Sequence, residues 1–284
     1  MSDTPEAPSP SPPEVAILTL AEEPEAWAAA GFAVDEGGTC RLGHVTLELI
    51  GREAGTGVVG WALRGLPEGA ATDLEGFPTR ATDQGRAQPA EHPCSAVAVD
   101  HLVLLSDDLE RTVGAAATVG LTPRRWRDHV LPDGTEARQA FFRVGQVVLE
   151  VVAPRARPAQ PRPGVRAFGL AVTALDIERA RACLGDALGP TRPAVQPGRF
   201  IATVRRGAHG LTIPLALMSP APRRPPGPAG GPPPADGRAG DAPAGPSDAD
   251  PSSTDPSDAD PSDSGPSDPG PSDSEPEGPF AIPG

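Results

Sequence analysis

The pattern of apolar and polar positions divides the chain into short strand-like runs separated by turn residues. Residues 97–105 (VAVDHLVLL) are a β-branched and leucine-rich run of the length of one buried strand. Asp107 and Asp108 follow where helix caps stand, and residues 109–119 carry a helical pattern that ends at Gly120. Residues 124–130 alternate loosely, and residues 132–134 have turn chemistry. Residues 137–144 and 146–152 then read as two strands joined at Gly145. The predicted order is β-α-β-β-β.

The next stretch repeats this order. It has a strand over 167–173, a helix over 176–188, a weak strand over 192–196, and strands over 200–206 and 211–218. At a shift of 68, Leu102, Asp108, Glu110 and Arg111 meet Leu170, Asp176, Glu178 and Arg179. At a shift of 66, Leu149 and Pro154 meet Leu215 and Pro220. A weaker copy stands first, with a strand over 15–20 and a helix over 24–30. In it, residues 43–50 (GHVTLELI) match residues 145–152 (GQVVLEVV), so Glu48 falls in register with Glu150. Residues 57–66 are one more strand, which either belongs to this copy or begins a truncated one. Repeats of this kind are modules that cover their apolar faces against one another.

The expected fold class is therefore α+β, with tandem βαβββ modules forming cupped, mixed sheets. The expected divisions are a disordered lead over 1–13, an incomplete module over 14–69, a linker over 70–96, modules over 97–155 and 164–220, and a disordered tail over 221–284. The tail is built from Pro, Gly, Asp and Ser with PSD recurring, and cannot bury enough apolar surface to fold. It holds 12 acidic residues and 3 arginines. The whole chain carries −14 and the tail −9, which leaves −5 for residues 1–220. An acidic balance argues against nucleic acid and anionic membrane as partners. The chain contains no lysine, which removes Schiff-base and P-loop chemistry. Cys40, Cys94 and Cys183 are widely spaced and odd in number, which fits a reduced, cytoplasmic compartment. The acidic, Pro-rich start does not read as a signal peptide, and no apolar run reaches the ~20 residues of a spanning helix. No Walker A, GxSxG or HExxH motif occurs, and the GxGxxG letters at residues 55–60 (GTGVVG) run into a predicted strand rather than opening a helix, so no nucleotide cofactor is expected.

Asp100-His101-Leu-Val-Leu on a first strand, Asp108-Leu-Glu-Arg opening a helix, Gln146-Val-Val-Leu-Glu150 on a last strand, and Ala194-Val-Gln-Pro-Gly-Arg199 in the second copy form one set. With this set, residues 97–220 resemble the vicinal oxygen chelate superfamily, the glyoxalase-like and bleomycin-resistance-like proteins. Residues 14–66 resemble it weakly. The resemblance implies a small oxygenated molecule as substrate or ligand, a possible homodimer, and a divalent metal held by the first and last strands of each module. His101 and Glu150 stand at those positions in the clearest module, Gly169 and Ala216 in the next, and Ala16 and Glu48 in the first. The expected metal ligands are His101, Glu150 and Glu48, with His44, His129 or His209 as other completing groups.

Two readings stay open. In one, the protein is an enzyme in which the metal polarises a carbonyl or enolate, or in which Glu150 alone acts as a general base with a burial-raised pKa. In the other, the modules hold a small ligand without turning it over. Glu150 is the most informative residue, because a carboxylate inside VVLEVV is costly to bury without a partner. Residues 124–129 (RRWRDH), with Arg127, offer a cationic mouth for an anionic substrate, and Gln196 and Arg199 are candidate substrate contacts at a Pro-Gly turn. The plainer alternatives are a charged edge strand and a structural turn. The pair His92 and Cys94 is a weak candidate for nucleophilic chemistry.

Overall fold

The computed structural model describes residues 12–131 and 133–222, which belong to one compact unit. The expectations for most of the lead and tail, and for Pro132 of the predicted turn, lie outside the described residues. The elements are β1 (Glu14–Ala21), α1 (Pro24–Ala29), β2 (Thr39–Leu42), β3 (Val45–Leu49), β4 (Gly57–Arg64), β5 (Asp73–Leu74), β6 (Phe77–Ala81), β7 (Ala96–Ser106), α2 (Leu109–Thr118), β8 (Pro123–Val130), β9 (Glu136–Val144), β10 (Val147–Pro154), β11 (Val165–Ala174), α3 (Ile177–Leu184), β12 (Arg192–Pro193), β13 (Phe200–Thr203) and β14 (Leu215–Met218). They form a six-stranded sheet, β2-β3-β1-β4-β6-β5, and an eight-stranded sheet, β12-β13-β14-β11-β7-β10-β9-β8.

Each sheet is two modules placed back to back. In the larger sheet, β7-α2-β8-β9-β10 and β11-α3-β12-β13-β14 each fold so that the last strand runs parallel to the first. The two first strands, β7 and β11, pair antiparallel at the centre. Helix starts follow from the caps: Asp108 accepts from the Arg111 amide at 3.1 Å, and Asp176 from the amides of Glu178 and Arg179. Helix α3 is shorter than the sequence suggests, because Gly185 takes a positive φ of 56° and turns the chain into a 3-10 turn.

The smaller sheet repeats the plan. Strand β3 runs parallel to β1, and the module's first short strand is reduced to a bridge between Val34 and Cys40. Residues 57–64 begin a truncated module rather than complete the first: β4 pairs antiparallel with β1, as β11 does with β7, and β6 runs parallel to β4. The linker expected over 70–96 therefore needs correction, since residues 73–81 carry β5 and β6. Their polar, turn-rich letters hid them: Leu74 and Phe77 supply the buried apolar side, and Thr79 is buried because its hydroxyl accepts from the Trp61 indole at 2.7 Å.

One face of each sheet enters a single core. From the smaller sheet come Leu18, Leu20, Leu47, Trp61 and Leu63, and from the larger Leu102, Leu104, Leu149, Leu170 and Leu215, with the Trp27 and Phe32 rings tilted against each other, their centroids 4.7 Å apart. Glu22 ties the sheets where β1 ends, accepting from the amides of Thr212 and Ile213. The alternate residues of every strand point away from this core. That leaves each sheet one further face, lined in the larger sheet by Val103, Leu105, Val152, Ala171, Ala216 and Met218, and in the smaller by Ala16, Ile17 and Ala62.

Candidate active site

The second face of the larger sheet gathers most of the expected site residues. Strand pairing puts His101 beside Val148, Glu150 beside Phe141, and Gln139 beside Arg127. Residues opposite one another in a sheet share a face, so His101, Glu150, Gln139 and Arg127 all point into this cup. Simple alternation would send Asp100 to the other side. A register shift between Ala171 and Val172 gives β7 an extra residue, and this β-bulge turns Asp100 alongside His101.

Asp100 organises one half of the cup. It accepts from His101 Nδ1 at 3.1 Å, from Thr173 Oγ1 at 3.0 Å and from Arg199 at 2.5 Å. Burial opposes its charge, but the hydrogen bonds from His101 and Arg199 outweigh burial and hold its carboxyl well below the usual range. An ionised carboxylate only accepts, so Nδ1 carries the proton, and Nε2 is left for another group. Nε2 is buried without a hydrogen-bond partner among the described residues.

Glu150 defines the other half. Its side chain accepts from Gln139 Nε2, and only 4% of the residue is exposed. Burial raises its pKa to about 7, against the charges of His101 and Arg127 and the Gln139 hydrogen bond, which lower it. The Gln139 carbonyl oxygen and both His129 nitrogens are also buried without hydrogen-bond partners among the described residues. Burial and the Arg127 charge hold His129 below the usual imidazole value. Gln139 was not among the sequence candidates. Its only signal was a neutral polar side chain two positions from Phe141, in a strand that also carries Arg138 and Arg143.

The remaining candidates fall elsewhere. Glu48 lies on the smaller sheet, where it accepts from Thr19 Oγ1 at 3.3 Å and pairs with Arg80 at 3.6 Å. It does not join His101 and Glu150. Gln196 is exposed at the turn before β13, its carbonyl accepting from the Arg199 amide. Arg199 reaches inward and is committed to Asp100 and the Ser219 carbonyl. His44 contacts the Ala87 carbonyl, and His209 that of Leu184. Cys94 is buried, and burial pushes its thiol up to about 11, away from nucleophilic use.

The strand registers line up the four modules. Leu18, Trp61, Leu102 and Leu170 are equivalent on the first strands, and Leu47, Thr79, Leu149 and Leu215 on the last. The positions beside them are Ile17, Gly60, His101 and Gly169 on the first strands, and Glu48, Arg80, Glu150 and Ala216 on the last. The register thus puts Ile17, not Ala16, at the place of His101. Two ligating side chains, His101 and Glu150, share the larger cup, and the facing module offers Gly169 and Ala216. No cluster of three His, Cys, Asp or Glu suited to a metal occurs among the described residues. Zinc-type sites are built on three or more protein donors, so this pair does not fit one.

No family model matches the sequence, and no curated protein matches it. Among solved structures, a triple mutant of 4-hydroxymandelate synthase from Streptomyces coelicolor is similar over 75% of this chain and 94% of its own, at 12% identity and a TM-score of 0.52. A xylose isomerase-like TIM barrel/4-hydroxyphenylpyruvate dioxygenase fusion protein is similar over 78% of this chain, at 14% identity and a TM-score of 0.50. This chain spans about half the length of that fusion protein, 51%. No helix among the described residues is long and apolar enough to cross a membrane. Tandem βαβββ modules paired into cupped sheets, with these structural likenesses, give the chain the vicinal oxygen chelate fold.

Proposed function

We propose that the cup of the larger sheet takes a small oxygenated molecule and that Glu150 moves a proton on it without a metal. The convergence of two polar groups on one buried face carries this reading: Glu150, held by Gln139, and His101, oriented by Asp100 with Nε2 unpartnered. A carboxyl with a pKa near 7 is part ionised at neutral pH, which suits a general base that also returns its proton. In the step proposed, the Glu150 carboxylate takes a proton from carbon next to a carbonyl, and the C–H electron pair passes to the carbonyl oxygen as an enolate. The charge of Arg127 favours that oxygen. Return of a proton to the same carbon regenerates the carbonyl compound with that hydrogen exchanged for one from solvent.

The test is deuterium incorporation at carbon 3 of 2-oxobutanoate in heavy water, followed by NMR. Wild type is expected to exceed the buffer rate, Glu150→Gln to lose the excess, and Glu48→Gln to keep it. No excess in wild type overturns the proton-transfer reading. Stoichiometric divalent metal in purified protein, lost from both His101→Ala and Glu150→Gln, overturns the metal-independent one. A second reading, ligand holding without turnover, is favoured by one observation. Phe168 packs against both apolar clusters of the cup, and His101 and Glu150 are almost closed from solvent. It predicts binding without deuterium incorporation.

A further inference from the structure

The strands β8 and β9 carry arginines on both faces, and the two faces treat them differently. On the face away from the cup, Arg138 of β9 and Arg155, just past the end of β10, share one carboxylate, Asp128, at 3.4 Å and 2.7 Å. On the cup face stand Arg125, Arg127 and Arg143, placed there by their pairing with Phe141, Gln139 and Val148. None of the three has an ion-pair partner among the described residues, although Arg125 lies over the Phe141 ring at 5.8 Å. Of the acids in the cup, Asp100 is spent on Arg199, and Glu150 is only part charged near neutrality. Residues 1–220 carry a net −5. Three arginines without counter-charges, Arg125 and Arg143 exposed and Arg127 half-buried, give this face of an acidic protein room for an anion.

Neighbouring like charges on a sheet face repel. An anion between them relieves that repulsion, and the guanidinium fork suits a carboxylate's two oxygens. Inorganic phosphate offers the same charge but no acidic C–H. We infer that the ligand of the cup is a small carboxylate-bearing carbonyl compound, its carboxylate on the row Arg125, Arg127 and Arg143 and its carbonyl end toward Glu150 and His101. This rests on the cup being the ligand site, but not on Glu150 performing catalysis. Arg127 is the central anchor, because its charge is the one felt by Glu150.

The experiment is calorimetric titration of the full chain with 2-oxobutanoate, with its neutral methyl ester and with inorganic phosphate. The acid is expected to bind on the order of tenfold more tightly than the ester, as one charge-assisted contact allows. Arg127→Gln should erase that preference. Arg138→Gln, on the opposite face, should preserve it and so excludes a loss through net charge alone. Equal binding of acid and ester, no binding of either, or equal losses in Arg127→Gln and Arg138→Gln would each overturn the inference, as would phosphate binding as tightly as the acid. Glu150→Gln should retain the acid's preference. Loss of deuterium incorporation with retained preference would separate failure of catalysis from failure of the anion site.

Discussion

The two sheets are built on one plan, and each carries a glutamate at the same place in a last module strand. Glu48 stands half exposed beside Arg80, which occupies the equivalent position of the partner module, with Ile17 and Gly60 at the first-strand positions. Glu150 is buried, faces a module that offers Ala216, and has His101 nearby. The fold thus sets the position of a carboxylate, and its surroundings set what the carboxylate does. In the smaller sheet a cation stands beside it and solvent reaches it. In the larger sheet, burial makes its charge costly and its proton available near neutral pH.

The largest effect that tests this contrast lies at Asp100. Asp100→Asn would leave Arg199, whose side chain is 10% exposed, without its counter-charge. Breaking a buried pair costs about 3–5 kcal/mol. Urea unfolding should show a loss of that size, partly restored by adding Arg199→Met. A loss under about 1 kcal/mol would mean that the network resembles a surface pair.

The pH dependence of Glu150 comes next. Its folded pKa, about 7, is raised above the ordinary 4.5. Between these values the folded protein holds a proton that the unfolded chain releases. The group's contribution to stability is therefore full below about pH 4.5, falls as pH rises to about 7, and is level above. The difference amounts to about 3 kcal/mol. Glu150→Gln should remove this fall, so the variant gains on wild type as pH rises from 5 to 8. Parallel profiles would show that the carboxylate is neutralised in place, as an arginine would neutralise it.

A smaller effect isolates the cation on the cup wall. Arg127 favours the charged form of Glu150 and the neutral form of His129. Arg127→Gln should therefore move both midpoints upward, that of Glu150 above about 7, as read by carboxyl and imidazole NMR titrations. Unmoved midpoints would place Arg127 too far away to act on the cup.

Much of the larger sheet was legible because its strands are apolar runs bounded by Asp caps and glycines, and because the repeat at a shift of 68 aligns Leu102 with Leu170. The truncated module was not. Its strands are short, and Thr79 is buried through a bond to Trp61 that no local pattern shows. At the site, Glu150 stood out by its apolar flanks. The grouping of Asp100 with His101 needed the bulge, a register feature set by the partner strand. Glu48 misled because its local letters match those of Glu150, while Arg80, the residue that decides its role, comes from the next module.

That pair gives the smallest expected effect and the cleanest control. Arg80 and Glu48 have side chains 60% and 38% exposed, so solvent screens their attraction and ordering two long side chains offsets much of it. A double-mutant cycle with Glu48→Gln and Arg80→Gln should give a coupling below about 1 kcal/mol, smaller still in high salt. The same substitutions should leave deuterium incorporation and the acid-over-ester preference of the larger cup unchanged, because the shared core separates the two faces. A coupling of several kcal/mol would show that Glu48 is as desolvated as Glu150. The two cups would then differ in counter-charge alone, and burial would no longer explain why only one of them has a carboxylate free to carry a proton.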